Sequence, residues 1–302
     1  MPPFHTIDLS AEEILQRIGN RVKDVTSELD LANCEAHRRA AGGFGDVYFG
    51  YLRDGTPVAI KCLEITIQRG PEGSSVMEGF ANEVYAWSKC NHPNIARLIG
   101  LATFRQQLAM ISPWIGGLDL YGLLRTEAWT IEERYRICTQ TVEAVAYLHK
   151  ENIVHGDLKT RNILMSDEGV PQLIDFGCSI IREHSLRFRS STRGYTVNWV
   201  APEILEGSHP THGSDVYSLG MTILEIMTGE IPYAGLAGIW SVVPKIVEGT
   251  LPDRSPKHFP DGNPQADHLW ALLTGACWVR GPNERISAAE LLEKMKEQLN
   301  NR

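Results

Sequence analysis

Apolar positions along the chain follow two different periods. Val58-Ala59-Ile60-Lys61 alternates with period two and reads as a strand that ends in a lysine. A second apolar strand is expected over 108–112, running into Pro113-Trp114-Ile115-Gly116-Gly117. Residues 77–89 have the helical period, with Val76, Phe80, Val84 and Trp87 along one face and Glu83 on or beside it. Near the start, Leu15, Ile18, Val22, Val25 and Leu29 recur at alternating steps of three and four, after a Ser10/Glu13 capping box. That spacing predicts an amphipathic helix with a narrow seam, too short for a stable coiled coil. Its first expected use is docking on the domain that follows. Self-association or binding of a partner is the second. The Pro- and Gly-rich stretch 251–263 is expected to be a long surface loop between helices.

Composition narrows the class. At 302 residues the chain is near the limit for one core and long enough for two lobes. A net charge of −8 gives no electrostatic case for nucleic acid or an anionic membrane. No apolar run reaches the length of a membrane span, and the first residues lack the apolar core of a signal peptide. Six cysteines are scattered without a C-x-x-C pair, which argues against a disulfide framework or a zinc site. A reduced intracellular compartment is expected, the cytoplasm first, with the nucleus as the alternative.

The chemistry concentrates in His155-Gly156-Asp157-Leu158-Lys159-Thr160-Arg161-Asn162 and, just downstream, Asp175-Phe176-Gly177. An Asp five residues before an Asn can offer a hydroxyl-orienting base and a metal ligand from one rigid loop. A second Asp, at the end of the next hairpin, can hold the metal on a nucleotide triphosphate. Upstream, Ala40-Ala41-Gly42-Gly43-Phe44-Gly45-Asp46-Val47 is a glycine-rich stretch whose backbone can close over phosphates.

Together these segments resemble the protein kinase family, with H-x-D-x-x-x-x-N, D-F-G and V-A-I-K all present. The resemblance covers 35–299. It implies an α+β, two-lobed protein kinase fold, with a small antiparallel-sheet lobe bearing one helix and a larger, mainly helical lobe. The expected organisation is a helical extension over 1–34 and a kinase domain over 35–302. The small lobe would run about 35–112, the hinge 113–117 and the large lobe 118–302.

ATP and Mg²⁺ are the implied cofactors. Lys61, paired with Glu83, is expected on the α- and β-phosphates. Asp157 is expected to orient the acceptor hydroxyl, Lys159 to neutralise the moving phosphoryl group, and Asn162 and Asp175 to hold Mg²⁺. Gly42, Gly43, Phe44 and Gly45 would cover the phosphates. Val47, Ala59 and Leu164 would sandwich the adenine, with Ser112 as gatekeeper and the Pro113 carbonyl and Ile115 N–H as its hydrogen-bonding edge. Ala40 stands where the family's first glycine is expected. Ala201-Pro202-Glu203 matches A-P-E, Arg285 matches its ion-pair partner, and Asp215 matches the aspartate that holds the catalytic-loop backbone.

The expected activity is phosphoryl transfer to Ser or Thr of protein substrates in intracellular signalling, closest to tyrosine-kinase-like Ser/Thr kinases. Lys159 and Thr196 carry the Ser/Thr preference. A pseudokinase and a small-molecule kinase are the alternatives. The first usually loses the Lys or an Asp, and none is lost here. The second is disfavoured by A-P-E and Arg285. Gly156 replaces the arginine of H-R-D, so a phosphate on Ser190, Ser191 or Thr192 would lack its usual cation.

Overall fold

A computed structural model describes residues 22–42, 45–62, 71–116, 118–181 and 197–300. The chain divides into two compact units, with the boundary between Trp114 and Ile115 inside the expected hinge. The first unit is built on a five-stranded antiparallel sheet. Its strands are β1 (Ala40–Gly42), β2 (Gly45–Tyr51), β3 (Pro57–Cys62), β4 (Gly100–Phe104) and β5 (Gln107–Pro113), in the order β1-β2-β3-β5-β4. The alternation seen at 58–61 has a structural cause. Val58, Ile60 and Cys62 point into the core, while Ala59 and Lys61 face the other way. Helix α1 (Pro71–Ser88) begins six residues earlier than the periodicity suggested, at a proline suited to a first helical turn. It buries Phe80, Val84 and Trp87.

The amphipathic helix expected over 10–29 does not continue through its last part. Residues 22–34 contain no α-helix, and the residues before them lie outside the description. Val25 and Leu29 are instead fully buried around a single 3-10 turn, Thr26–Glu28. The physical reason is competition for the backbone. Val25 N–H donates to the Leu101 carbonyl at 2.8 Å, and Leu101 N–H donates to the Lys23 carbonyl at 2.9 Å. The open edge of β4 thus takes groups that a helix would have used internally. Docking on the small unit is the outcome for 22–29, by strand pairing rather than by a helical face.

The second unit is mainly helical. It contains α2 (Leu120–Thr126), α3 (Ile131–Lys150), α4 (Pro202–Leu205), α5 (His212–Thr228), α6 (Ile239–Glu248), α7 (Pro264–Leu272) and α8 (Ala288–Asn300). Two short antiparallel pairs carry the functional loops: β6 (Ile153–Val154) with β9 (Ile180–Ile181), and β7 (Ile163–Met165) with β8 (Pro171–Leu173). Helix α5 is the axis of this unit. It is capped by a Thr211/Ser214 box and closed by left-handed Gly229. Almost all of its residues are buried. The 251–263 stretch is free of regular elements but is more than a surface loop, because it buries Phe259 completely.

Gly100 is where the N-terminal strap approaches most closely. A β-carbon there would lie 2.5 Å from the Lys23 carbonyl oxygen and 2.9 Å from Val25 Cγ1. Gly100→Ala is expected to push the strap off β4 and destabilise the protein by about 1–3 kcal/mol. Urea unfolding, compared with the parent, measures this; an unchanged midpoint would show that the strap contributes nothing.

Candidate active site

The buried carboxylate of Asp215, in the first turn of α5, organises the catalytic loop. Its Oδ2 accepts the His155 backbone N–H at 2.7 Å, and its Oδ1 accepts that of Gly156 at 2.9 Å. His149 Nε2 lies 3.1 Å from Oδ2, and the His149 ring stacks on His212 with centroids 4.2 Å apart. Burial pushes the Asp215 carboxyl up, but the His149 hydrogen bond, the attraction of His149 and His155, and the Gly156 N–H outweigh it. The group sits below the ordinary aspartate value.

Gly156 fits this clamp because of its backbone. Its φ of +82° is left-handed, and an added β-carbon would lie 2.6 Å from the Cys178 carbonyl oxygen. His155 links the loop to the D-F-G segment. Its Nδ1 accepts the Asp157 N–H at 3.2 Å, so Nε2 carries the proton and donates to the Ile174 carbonyl at 3.2 Å. Ser179 Oγ donates to the His155 carbonyl at 3.2 Å.

Asp157, Lys159 and Asn162 converge on one oxygen. Lys159 Nζ lies 2.5 Å from Asp157 Oδ2, and Asn162 Nδ2 lies 2.9 Å from the same atom and 2.8 Å from the Asp157 carbonyl. The amide nitrogen of Asn162 is thereby committed to the loop, which turns its Oδ1 the other way. Ile174 N–H donates to the Asn162 carbonyl at 2.9 Å, holding Asp175 beside that segment. Asp175 has a left-handed φ of +67°, uncommon for a side chain of its size, and its Oδ1 accepts the Gly177 N–H at 3.3 Å. One carboxylate and one oriented amide oxygen are hard donors of the type Mg²⁺ takes, so the residues fit that ion.

In the first unit, Lys61 Nζ is 2.6 Å from Glu83 Oε1, with Glu83 only 5% exposed. Strand register places Val47 opposite Lys61, and Ala59 opposite Ser112. One sheet face therefore bears Val47, Ala59, Lys61 and Ser112 together. Ala40 is paired with Val47 at the start of β1. Gly42 and Gly45 are the last and first residues of β1 and β2, whereas Gly43 and Phe44 lie outside the described residues. Pro113 ends β5, and Ile115 and Leu164 belong to the second unit, Leu164 in β7. Thr196, Ser190, Ser191 and Thr192 lie outside the description as well.

Two anchors surround this machinery. Arg285 forms a two-pronged pair with Glu203, at 2.6 and 2.8 Å, and also donates to the carbonyls of Gly213, Val279 and Arg280. The sequence reading missed the other. Glu225, on α5, accepts from Thr160 N–H at 3.1 Å and from Trp199 Nε1 at 2.9 Å. It ties the catalytic loop to the segment before A-P-E. Its signal was a lone carboxylate in the apolar run from Met221 to Met227. Glu225 Oε1 is buried without a hydrogen-bond partner among the described residues. Burial pushes its carboxyl up to about 7, only partly offset by Thr160, Trp199 and the attraction of Arg161.

The model of the protein kinase domain family matches residues 40–295, and the chain belongs to that family. Serine/threonine-protein kinase STY17 of Arabidopsis thaliana is 28% identical over 301 residues, covering 97% of this chain and 50% of the relative. Mitogen-activated protein kinase kinase kinase A of Dictyostelium discoideum is 30% identical over 255 residues, 83% of this chain and 26% of that protein. The tyrosine-protein kinase transforming protein Fps of Fujinami sarcoma virus is 30% identical over 257 residues, 83% of this chain and 28% of that protein. The chain spans half or less of the length of these relatives.

The raised Glu225 carboxyl has a signed consequence. Between the ordinary value of 4.5 and about 7, the folded protein binds more protons than the unfolded chain. Stability contributed there is present at low pH and falls as pH rises through that window, by roughly 3 kcal/mol at most. Glu225→Gln is expected to flatten this segment of the stability–pH curve. Denaturant midpoints across the window test it; an unaltered slope would place the proton elsewhere.

Proposed function

We propose that the protein transfers the γ-phosphoryl group of ATP, with Mg²⁺, to Ser or Thr hydroxyls of protein substrates. The observation that carries this reading is the meeting of Lys159 and Asn162 on one oxygen of Asp157, on a loop clamped by Asp215. A carboxylate so held is oriented before a substrate arrives, and phosphoryl transfer depends mostly on positioning and charge stabilisation.

In this reading Asp157 receives the acceptor hydroxyl and takes its proton late. The acceptor oxygen bonds to the γ-phosphorus as the bridge to the β-phosphate breaks, leaving ADP. Lys159 neutralises the moving group. Asn162 and Asp175 would hold Mg²⁺, which when bound neutralises charge on the phosphates. Lys61, kept straight by Glu83, holds the α- and β-phosphates under Gly42, Gly43, Phe44 and Gly45. Val47, Ala59 and Leu164 enclose the adenine, with Ser112, Pro113 and Ile115 at its edge.

The catalytic domain would span 35–302, after an extension over 1–34 that binds intramolecularly, by self-association or through a partner. Lys159 supports Ser/Thr over Tyr, as does the name of the Arabidopsis relative; the name of the viral relative points the other way. Among the described residues no helix is long and apolar enough to cross a membrane, and we place the activity in cytoplasmic signalling. Activation-loop phosphate is not the main switch in this reading. Gly156 offers it no cation, and the space beside it is filled by Cys178.

Asp157→Asn is expected to lower phosphotransfer by about 10²–10⁴-fold with ATP binding nearly unchanged. Labelled ATP with a degenerate peptide library, beside nucleotide titration, measures both; parental turnover would remove Asp157 from the mechanism. Lys61→Met removes the cation 2.6 Å from the buried Glu83 carboxylate. It should abolish transfer and cost about 3–5 kcal/mol of stability, read by incorporation and by thermal unfolding. Transfer at the parental rate would remove Lys61 from phosphate positioning.

A further inference from the structure

Arg161 and Arg125 differ from the arginines that are held in ion pairs. Arg39, Arg38, Arg254, Arg280 and Arg285 are each bound to a carboxylate. Neither Arg125 nor Arg161 has a carboxylate within ion-pair distance among the described residues, and both are exposed. They share a ring instead. The guanidinium carbon of Arg161 lies 4.1 Å from the centroid of Tyr121, and that of Arg125 lies 5.2 Å from it. Such stacking holds a guanidinium in place by its flat face and leaves the N–H edge for an acceptor.

Both supports are rigid. Tyr121 and Arg125 sit one turn apart on α2, whose first turn is capped by Asp119 Oδ1 on Gly122 N–H at 2.7 Å. Asp119 also bridges to Leu164 in β7, directly after the catalytic loop. Arg161 lies in that loop, four residues past Asp157 and next to Asn162. Its charge is felt by Glu225 of α5, which is buried and held by Thr160 and Trp199. Two fixed cations therefore stand beside the catalytic loop, one of them four residues past the candidate base, in a chain of net charge −8.

We propose that Arg161 and Arg125, bracketing Tyr121, select protein substrates with an anionic side chain close to the acceptor hydroxyl. This rests on the phosphotransfer reading and names the substrate class for that site. An extended peptide advances about 3.3 Å per residue, so a residue a few positions from the acceptor is within reach of Arg161. Aspartate, glutamate and phosphoserine supply the same chemistry, and a planar guanidinium edge fits each.

The test uses the full chain with ATP and Mg²⁺ on position-scanned peptides. At each position near the acceptor, Asp or Glu, phosphoserine, Ala and Lys are compared. The quantity read is the ratio of kcat/KM for anionic and neutral peptides, in which any general loss of activity or folding cancels. The parent should favour an anionic residue at one or two positions by about fivefold or more. That preference should shrink as salt is raised. Arg161→Glu should invert it towards lysine, and Arg125→Glu, outside the loop, should weaken it. The better of the carboxylate and phosphate arms identifies the source of the anion. A parent that phosphorylates all peptides alike, or a ratio unchanged in both variants, overturns the proposal and leaves the phosphotransfer reading standing. No incorporation into any peptide would remove both.

Discussion

The hydrogen bonds from His155 and Gly156 to Asp215 are the constraint on which the rest of the site depends. Two successive backbone N–H groups are drawn to one carboxylate, which bends the chain so that the next residue, Asp157, leaves the loop in a defined direction. The carboxylate is tolerated in the interior because it is hydrogen-bonded: each of the two buried acids of α5 has partners from a functional segment. Asp215 meets the loop just before Asp157. Glu225 meets Thr160, just past it, and Trp199, ahead of A-P-E. One buried helix thus sets both the catalytic loop and the chain that precedes α4, and only α5 has to be positioned for both to follow.

Polar links then carry order outward. His155 joins the loop to the strand end before Asp175, and Asn162 joins its own backbone to Ile174 while its side chain steadies Asp157. Asp175 remains in a backbone region that side chains seldom occupy. Such strain persists only when neighbours over-determine it, and the bonds around Ile174 and Gly177 do so. In the first unit, order comes from the period of the strand instead. Alternation puts Ala59 and Lys61 on one face and their cross-strand partners Val47 and Ser112 beside them, so four expected contact residues need no special loop to meet.

What the sequence revealed and what it concealed divide along physical lines. Side-chain chemistry at fixed spacing was legible: the Asp157, Lys159 and Asn162 set, Asp175, Lys61 with Glu83, and Arg285 with Glu203 could each be named from residue type and position. The α+β class followed from the same segments. Backbone competition was not legible. The three-and-four spacing of Val22, Val25 and Leu29 is that of a helix, yet the open edge of β4 offered the chain better hydrogen bonds, and Gly100 offered room. Glu225 was hidden because an acid within an apolar helix looks like a break in pattern until its partners are known. The Arg161–Tyr121–Arg125 stack joins two separate elements, and no local period announces it.

The carbonyl of Cys178 also bears on how position 156 can change. With the glycine in left-handed backbone, the neighbouring segment lies at a distance that leaves no room for a β-carbon. An arginine substituted there would meet that carbonyl before its guanidinium could reach an anion. Installing the arginine of H-R-D therefore requires two concerted changes, one at 156 and one in the path of Cys178, each unfavourable without the other. A single substitution does not supply the cation.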